Sequence, residues 1–270
     1  MRNRAIILII LGFVLSIVSL TNYAGNDLSE FRSKTHDIYE ATTIPSKISL
    51  DGKIEDWANV EAFSGVEFPK EDGSMTVFEE HGGGTWTGVD DQTVAFKIVW
   101  DTQAVYLGII VTDDDHQNAT ASGWNGDAAQ IVVEPTGERR PENDHFRYNF
   151  ALGNNGTLTV NNEKPAGEGL KEDHVAIARD GLTTIYEIMF PSSEFSIVKF
   201  EDGMSLGLGI CVNDGDGPDQ LGQRGWGGWY THAAVFGKNP ENTGLVKMVS
   251  AKTAVDMEEK LTIKWAEIKK

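Results

Sequence analysis

The chain has 270 residues, 40% hydrophobic and 24% charged, the balance of a folded protein with room for one large β domain or two small ones. Its formal charge is −18, with acidic residues spread along the whole length. That charge sets it against nucleic acid and anionic lipid, both polyanions, and leaves a neutral or cationic ligand as the better match. A single cysteine, Cys211, excludes an internal disulfide and an all-cysteine metal site; in its apolar stretch it reads as a small buried hydrophobe.

In chain order, M-R-N-R is followed by an apolar run from Ala5 to Leu20 and then by polar T-N-Y-A-G-N-D. A basic start, a short apolar core and a small residue at Ala24 are the parts of a secretory signal over residues 1–24. The run is shorter than the ~20 residues that span a bilayer. Asn22 fits a cleavage site poorly, so an uncleaved N-terminal tether stays open beside cleavage. Either way the expected location is secreted, periplasmic or at the cell surface. No cysteine follows the signal, so a lipid anchor is not expected.

Residues 25–42 read as a linker, 43–250 as one domain, and 251–270 as a tail with a candidate edge strand. Strand-like runs dominate the domain: T-V-A-F-K-I-V-W (93–100), A-V-Y-L-G-I-I-V (104–111), A-A-Q-I-V-V-E (128–134) and H-F-R-Y-N-F-A-L (145–152). They continue at 156–160, 174–178, 183–190, 205–212 and 244–249. Turn signals such as G-N-N-G and R-D-G-L separate them, and no long helical pattern intervenes. The expected fold is therefore all-β, an antiparallel β-sandwich of jelly-roll or immunoglobulin-like type. P-S-S-E-F (191–195) predicts one helical turn capped by Ser192 or Ser193. Residues 66–91, with E-E-H-G-G-G-T-W-T-G, read as a long loop at one end.

The sequence lacks G-x-S-x-G, H-E-x-x-H and P-loop motifs, and its six histidines show no metal-type spacing. Among 41 acidic residues some carboxylate pair always exists, so pairing alone does not indicate glycoside hydrolysis. The expectation is a binding protein without catalysis of its own. T-D-D-D-H-Q and V-N-D-G-D-G-P-D each place oxygen ligands on a loop after a strand, an arrangement suited to calcium with Asp114, Asp115, Asp214 and Asp216 as candidate ligands. The alternative is that these are solvated Asx turns.

Tryptophan is the most informative residue type. Trp57 and Trp100 lie in apolar settings and read as core. Trp86, Trp124, Trp226 and Trp229 lie in the glycine-rich stretches G-G-G-T-W-T-G, S-G-W-N-G and R-G-W-G-G-W-Y. An indole in a loop can receive the apolar C–H face of a pyranose while amides, guanidinium and carboxylate read the hydroxyl rim. The same indoles could instead fold inward and cap the sandwich.

The order of I-S-L-D-G-K-I-E-D-W, K-I-V-W-D-T-Q-A-V-Y-L-G-I-I-V-T-D-D-D, G-W-N-G-D-A-A-Q-I-V-V-E, F-R-Y-N-F and L-G-L-G-I-C-V-N-D-G-D resembles the family 9 carbohydrate-binding modules and the related sandwiches that include haem-binding DOMON domains. The resemblance runs from about Thr43 to Ser250. It implies that two tryptophans hold a sugar ring: Trp124, followed by Asp127, and Trp229, with Trp226 contesting the second place. It also implies that Arg147 and Asn149 read the hydroxyls. Gln130 stands where the family has an acidic residue, keeping hydrogen bonding but losing charge. The expected partner is an oligo- or polysaccharide, with no protein partner, in support of polysaccharide degradation. The rival reading is a haem or electron-transfer domain, which would need axial ligands from Met75, Met189, Met204 or Met248 and a histidine.

Overall fold

In the computed structural model, residues 37–44, 47–57, 60–64, 75–118, 123–216, 220–236 and 238–250 are described. The signal segment and the 251–270 tail, with Trp265, lie outside them. Thirteen strands form among the described residues: β1 Ile38–Thr43, β2 Phe63–Ser64, β3 Met75–Glu80, β4 Gln92–Trp100, β5 Ala104–Asp113, β6 Ala128–Glu134 and β7 Phe146–Leu152. They continue with β8 Leu158–Lys164, β9 Val175–Asp180, β10 Thr183–Pro191, β11 Ser205–Asp216, β12 Gln220–Trp229 and β13 Gly244–Val249. Only 3-10 turns interrupt them. One is the expected turn at Ser192–Phe195, but Pro191 occupies the cap position and no side chain caps it.

The strands run in the order β8-β7-β6-β11-β13-β1-β4-β5-β10-β9, with β12 against β11 and β3 against β12. The first half of β11 pairs with β13 and the second half with β12, so the sheet divides there and wraps over a common core. Every pairing is antiparallel except that of β1, which runs parallel to both β13 and β4. The all-β sandwich expected from periodicity is the fold found.

Period-two alternation turns Phe96, Ile98, Leu107, Ile109, Ile131 and Ile210 into that core, each essentially inaccessible to water. Each such side chain contributes about 1.5–3 kcal/mol of burial. Trp57 and Trp100 are core residues as expected. The indole of Trp57 donates to Glu187 Oε1 at 2.9 Å, and Oε2 of that buried carboxylate accepts the N–H groups of Asp51 and Gly52.

Three features differ from the sequence reading. Among the described residues the sandwich begins at Ile38, inside the segment read as linker, because Tyr39 and Ala41 alone point inward between exposed neighbours and supply too sparse a pattern to be seen. The 66–91 stretch contributes β3 rather than loop alone. The glycine-rich run ending in Trp229 is strand β12, where glycine's low strand propensity hid the pattern. Its glycines serve packing: a Cβ at Gly225 would lie 2.1 Å from the Phe78 ring on β3.

Trp229 is buried completely, against Phe96 at 5.3 Å between ring centroids and Phe63 at 6.4 Å. Truncation to alanine is expected to cost about 3–5 kcal/mol, a fall in melting temperature on the order of 10 °C by circular dichroism. The same change at exposed Trp124 should move the melting point far less; equal losses would contradict these placements.

Candidate functional site

The outer face of β6, β7 and β8 carries a row of amides. Register pairs Gln130 with Asn149 and Asn149 with Asn161, so the three lie side by side across about 10 Å of sheet. They form part of a cleft of about 510 Å³ whose other walls include Trp124, Trp226 and Phe236. That size suits a small ligand.

The loop before β6 explains why a tryptophan sits among glycines. Gly126, at φ 123°, approaches the Gln117 carbonyl so closely that a Cβ would lie 2.3 Å from it. This lets the chain turn sharply back into β6. Trp124 is left on the outside, 46% exposed, with its backbone carbonyl accepting from Asn213 Nδ2 at 2.9 Å. Asn213 Oδ1 in turn accepts from Gln130 Nε2 at 2.9 Å and from Gln223 Nε2 at 2.6 Å. One buried asparagine on β11 thus fixes the tryptophan loop, Gln130 of the amide row, and Gln223 on the cleft wall.

Across the cleft, alternation along β12 separates the two tryptophans of R-G-W-G-G-W-Y. Three positions apart, they face opposite sides of the sheet. Trp226 faces the cleft, packed on His81 at 5.0 Å and Phe236 at 5.4 Å, and its indole N–H donates to Glu79 Oε2 at 3.3 Å. The second aromatic position expected at Trp229 is therefore corrected, since Trp229 lies in the core. Trp226 itself is only 1% exposed, and the accessible ring on that wall is Phe236, 63% exposed. Phe236 and Lys238 hold left-handed φ values of 50° and 54°, a conformation that costs non-glycine residues about 1–3 kcal/mol.

The remaining expected residues divide. Asn149 and Gln130 line the cleft, and Asn149 Oδ1 is buried without a hydrogen-bond partner among the described residues. Arg147 shares Asn149's side of β7 but acts at one remove, 3.6 Å from Glu163 Oε1. Burial alone would raise the Glu163 carboxyl, but the Lys238 hydrogen bond and charge, with Arg147, outweigh it and hold its pKa below the usual value. Asp127 does not reach the cleft. It is buried, accepting the N–H groups of Gln117 and Gly215, so its expected sugar contact is also corrected. Trp86 stacks on Phe78 and does not line the cleft. Sequence reading missed His81, Asn161, Glu163, Gln223, Phe236 and Lys238. Of these, Asn161 alone carried a local signal, as a polar residue of a strand next to F-R-Y-N-F.

The acidic loops form two groups beside the Trp124 loop. Asp214 and Asp216 converge with Asp91, a residue not singled out in the sequence, their ligand oxygens lying within 4.8 Å of one another. Asp114 and Asp115 are exposed and outside this group, although Asp114 is close enough to raise the pKa of both Asp214 and Asp216. A second group joins Asp113, His116 and Asp127.

Two solved structures share the fold. Both are of a family 9 carbohydrate-binding module from Caldicellulosiruptor kristjanssonii, one in complex with cellotriose and one with glucose. Each aligns with a TM-score of 0.54 at 17% identity over 80% of this chain, covering 95% and 97% of the module. Among curated proteins none matches at a significant level. The sequence model of the carbohydrate family 9 binding domain-like family matches residues 69–251, and the chain belongs to that family.

Proposed function

We propose that this chain is an exported, non-catalytic carbohydrate-binding protein that holds a neutral oligosaccharide in the cleft between Trp124 and the Phe236–Trp226 wall, in support of polysaccharide breakdown. The observation that carries this reading is an exposed indole facing a row of amides, with the buried Asn149 acceptor left for a ligand hydroxyl. The arrangement offers a flat apolar surface for a sugar's C–H face and planar polar groups for its rim. Cellotriose and glucose in the related module's structures support the ligand class. Among the described residues lining the cleft, Glu163 is the one carboxylate, and it is ion-paired with Lys238. That supports binding rather than glycoside hydrolysis, which uses two carboxyl groups. The basic and apolar N-terminal sequence supports export.

Sites of this kind bind at micromolar to millimolar strength, about 4 to 8 kcal/mol. Titration calorimetry with cellotriose should show binding by the wild type and none by Trp124→Ala. Phe236→Ala and Asn149→Ala should each weaken it roughly tenfold. Undiminished binding by Trp124→Ala would remove the assignment.

We also propose calcium at Asp91, Asp214 and Asp216. Three carboxylates, two of them buried, suit a hard cation with oxygen ligands. Burial, then repulsion from Asp216 and Asp91, pushes Asp214 up to about 8; burial with Asp91 and Asp114 pushes Asp216 up to about 6. In chelator these groups hold more protons folded than unfolded, so stability should fall as pH rises from about 4 to about 8. Calcium is expected to reduce that fall and raise the melting temperature at the alkaline end, with no such response from Asp214→Asn. A melting curve indifferent to calcium across this range would rule the site out.

A further inference from the structure

We propose that His116, Asp113 and Asp127 form a separate site for one divalent transition-metal ion of the zinc class, set beneath the loop that carries Trp124. His116 Nδ1 lies 3.3 Å from Asp127 Oδ2 and 3.8 Å from Asp113 Oδ2. The shorter matches the separation of roughly 3.4 Å expected around a tetrahedral ion with bonds of about 2.0–2.1 Å, and the longer would close by about 0.4 Å on binding.

The tautomer of His116 points to a cation. Its Nε2 lies 2.8 Å from the carbonyl oxygen of Leu152, which only accepts, so Nε2 carries the hydrogen. In the neutral ring Nδ1 then presents a lone pair toward two carboxylates. That nitrogen is buried, on a side chain only 10% exposed, and no hydrogen bond satisfies it among the described residues. A lone pair facing two buried carboxylates is unfavourable unless a metal ion or a proton lies between them, and the triad of one nitrogen and two oxygen donors is a ready ligand set for the metal. An imidazole that donates its other N–H to a backbone carbonyl is also the usual supporting arrangement of a metal-bound histidine.

Charge and donor type agree. Arg179 NH1, 3.2 Å from Asp113 Oδ2, offsets one of the two carboxylates and leaves the group a net anion. Each carboxylate oxygen has two lone pairs, so Asp113 Oδ2 can serve both Arg179 and an ion, and Asp127 Oδ2 can serve both the Gln117 N–H and an ion. A nitrogen donor shifts preference from calcium toward zinc, unlike the all-oxygen group at Asp91, Asp214 and Asp216. Water would complete the coordination. An ion here would tie the end of β5 to the start of β6, directly behind Trp124.

The full chain, stripped with chelator and titrated with cobalt(II) as a spectroscopic probe for zinc, tests this. One equivalent should give visible d–d bands of a four- or five-coordinate ion, displaced by zinc but not by millimolar calcium. The bands should be lost in His116→Gln and kept in Asp214→Asn. X-ray absorption of the zinc-loaded wild type should show one imidazole nitrogen among oxygen donors, a readout that stands even if His116→Gln fails to fold. No bands, bands unchanged in His116→Gln, displacement by calcium, or a zinc shell without imidazole would each overturn the proposal. So would magnetic resonance showing a doubly protonated His116 in the presence of zinc, because a proton would then occupy the ion's place.

Discussion

The structure depends on strand β11 being covered on both faces. One face carries Leu206, Leu208, Ile210 and Val212 into the core, and the other carries Cys211 and Asn213 toward the cleft. A surface strand of an antiparallel sandwich ordinarily meets water on one side. Here the outer side is closed by the Ala233–Val235 turn, which packs with Cys211, Val132 and Trp226. This second, small apolar cluster supports the aromatic wall of the cleft. The amides beside it remain available to a ligand.

Asn213 connects that scaffold to the site. Three of its side-chain hydrogen bonds reach the Trp124 carbonyl, Gln130 and Gln223. A buried amide so fully used positions its neighbours better than an exposed loop can, because the alternative is an unpaired polar group in a low-dielectric interior. Each acidic group has members on the same strand or loop, Asp214 and Asp216 on β11 and Asp127 on the Trp124 loop. Asp127 ties the Trp124 loop to Gly215 through its backbone N–H at 2.8 Å. An ion at either acidic group would therefore stiffen the segment that presents the indole.

Much of the fold was legible because its strands are long and alternate cleanly; β4 to β7, β10, β11 and β13 emerge from periodicity within a few residues. The strands that escaped bury few large apolar side chains, as with β1, where Tyr39 and Ala41 alone turn inward, or are glycine-rich, as with β12, where the missing side chains that obscure the pattern make room for Phe78 and Val77. At the site, Trp124, Gln130 and Asn149 were identifiable from local setting and family resemblance. The family resemblance placed Trp229 ahead of Trp226 within R-G-W-G-G-W-Y, a run whose glycines hide its strand character. Once it is a strand, odd spacing forbids both rings from facing the cleft.

By itself, the sequence determined the all-β class, the strongly negative charge and an indole set in a loop too small to bury it. Each of these follows from local composition and period, which act over a few residues. The tertiary structure alone decided which tryptophan faces outward, that Phe236 supplies the accessible ring of the far wall, and that Asp91 joins Asp214 while His116 joins Asp127. Those juxtapositions unite residues from distant strands, and no local pattern encodes the register and wrapping of the sheet that bring them together.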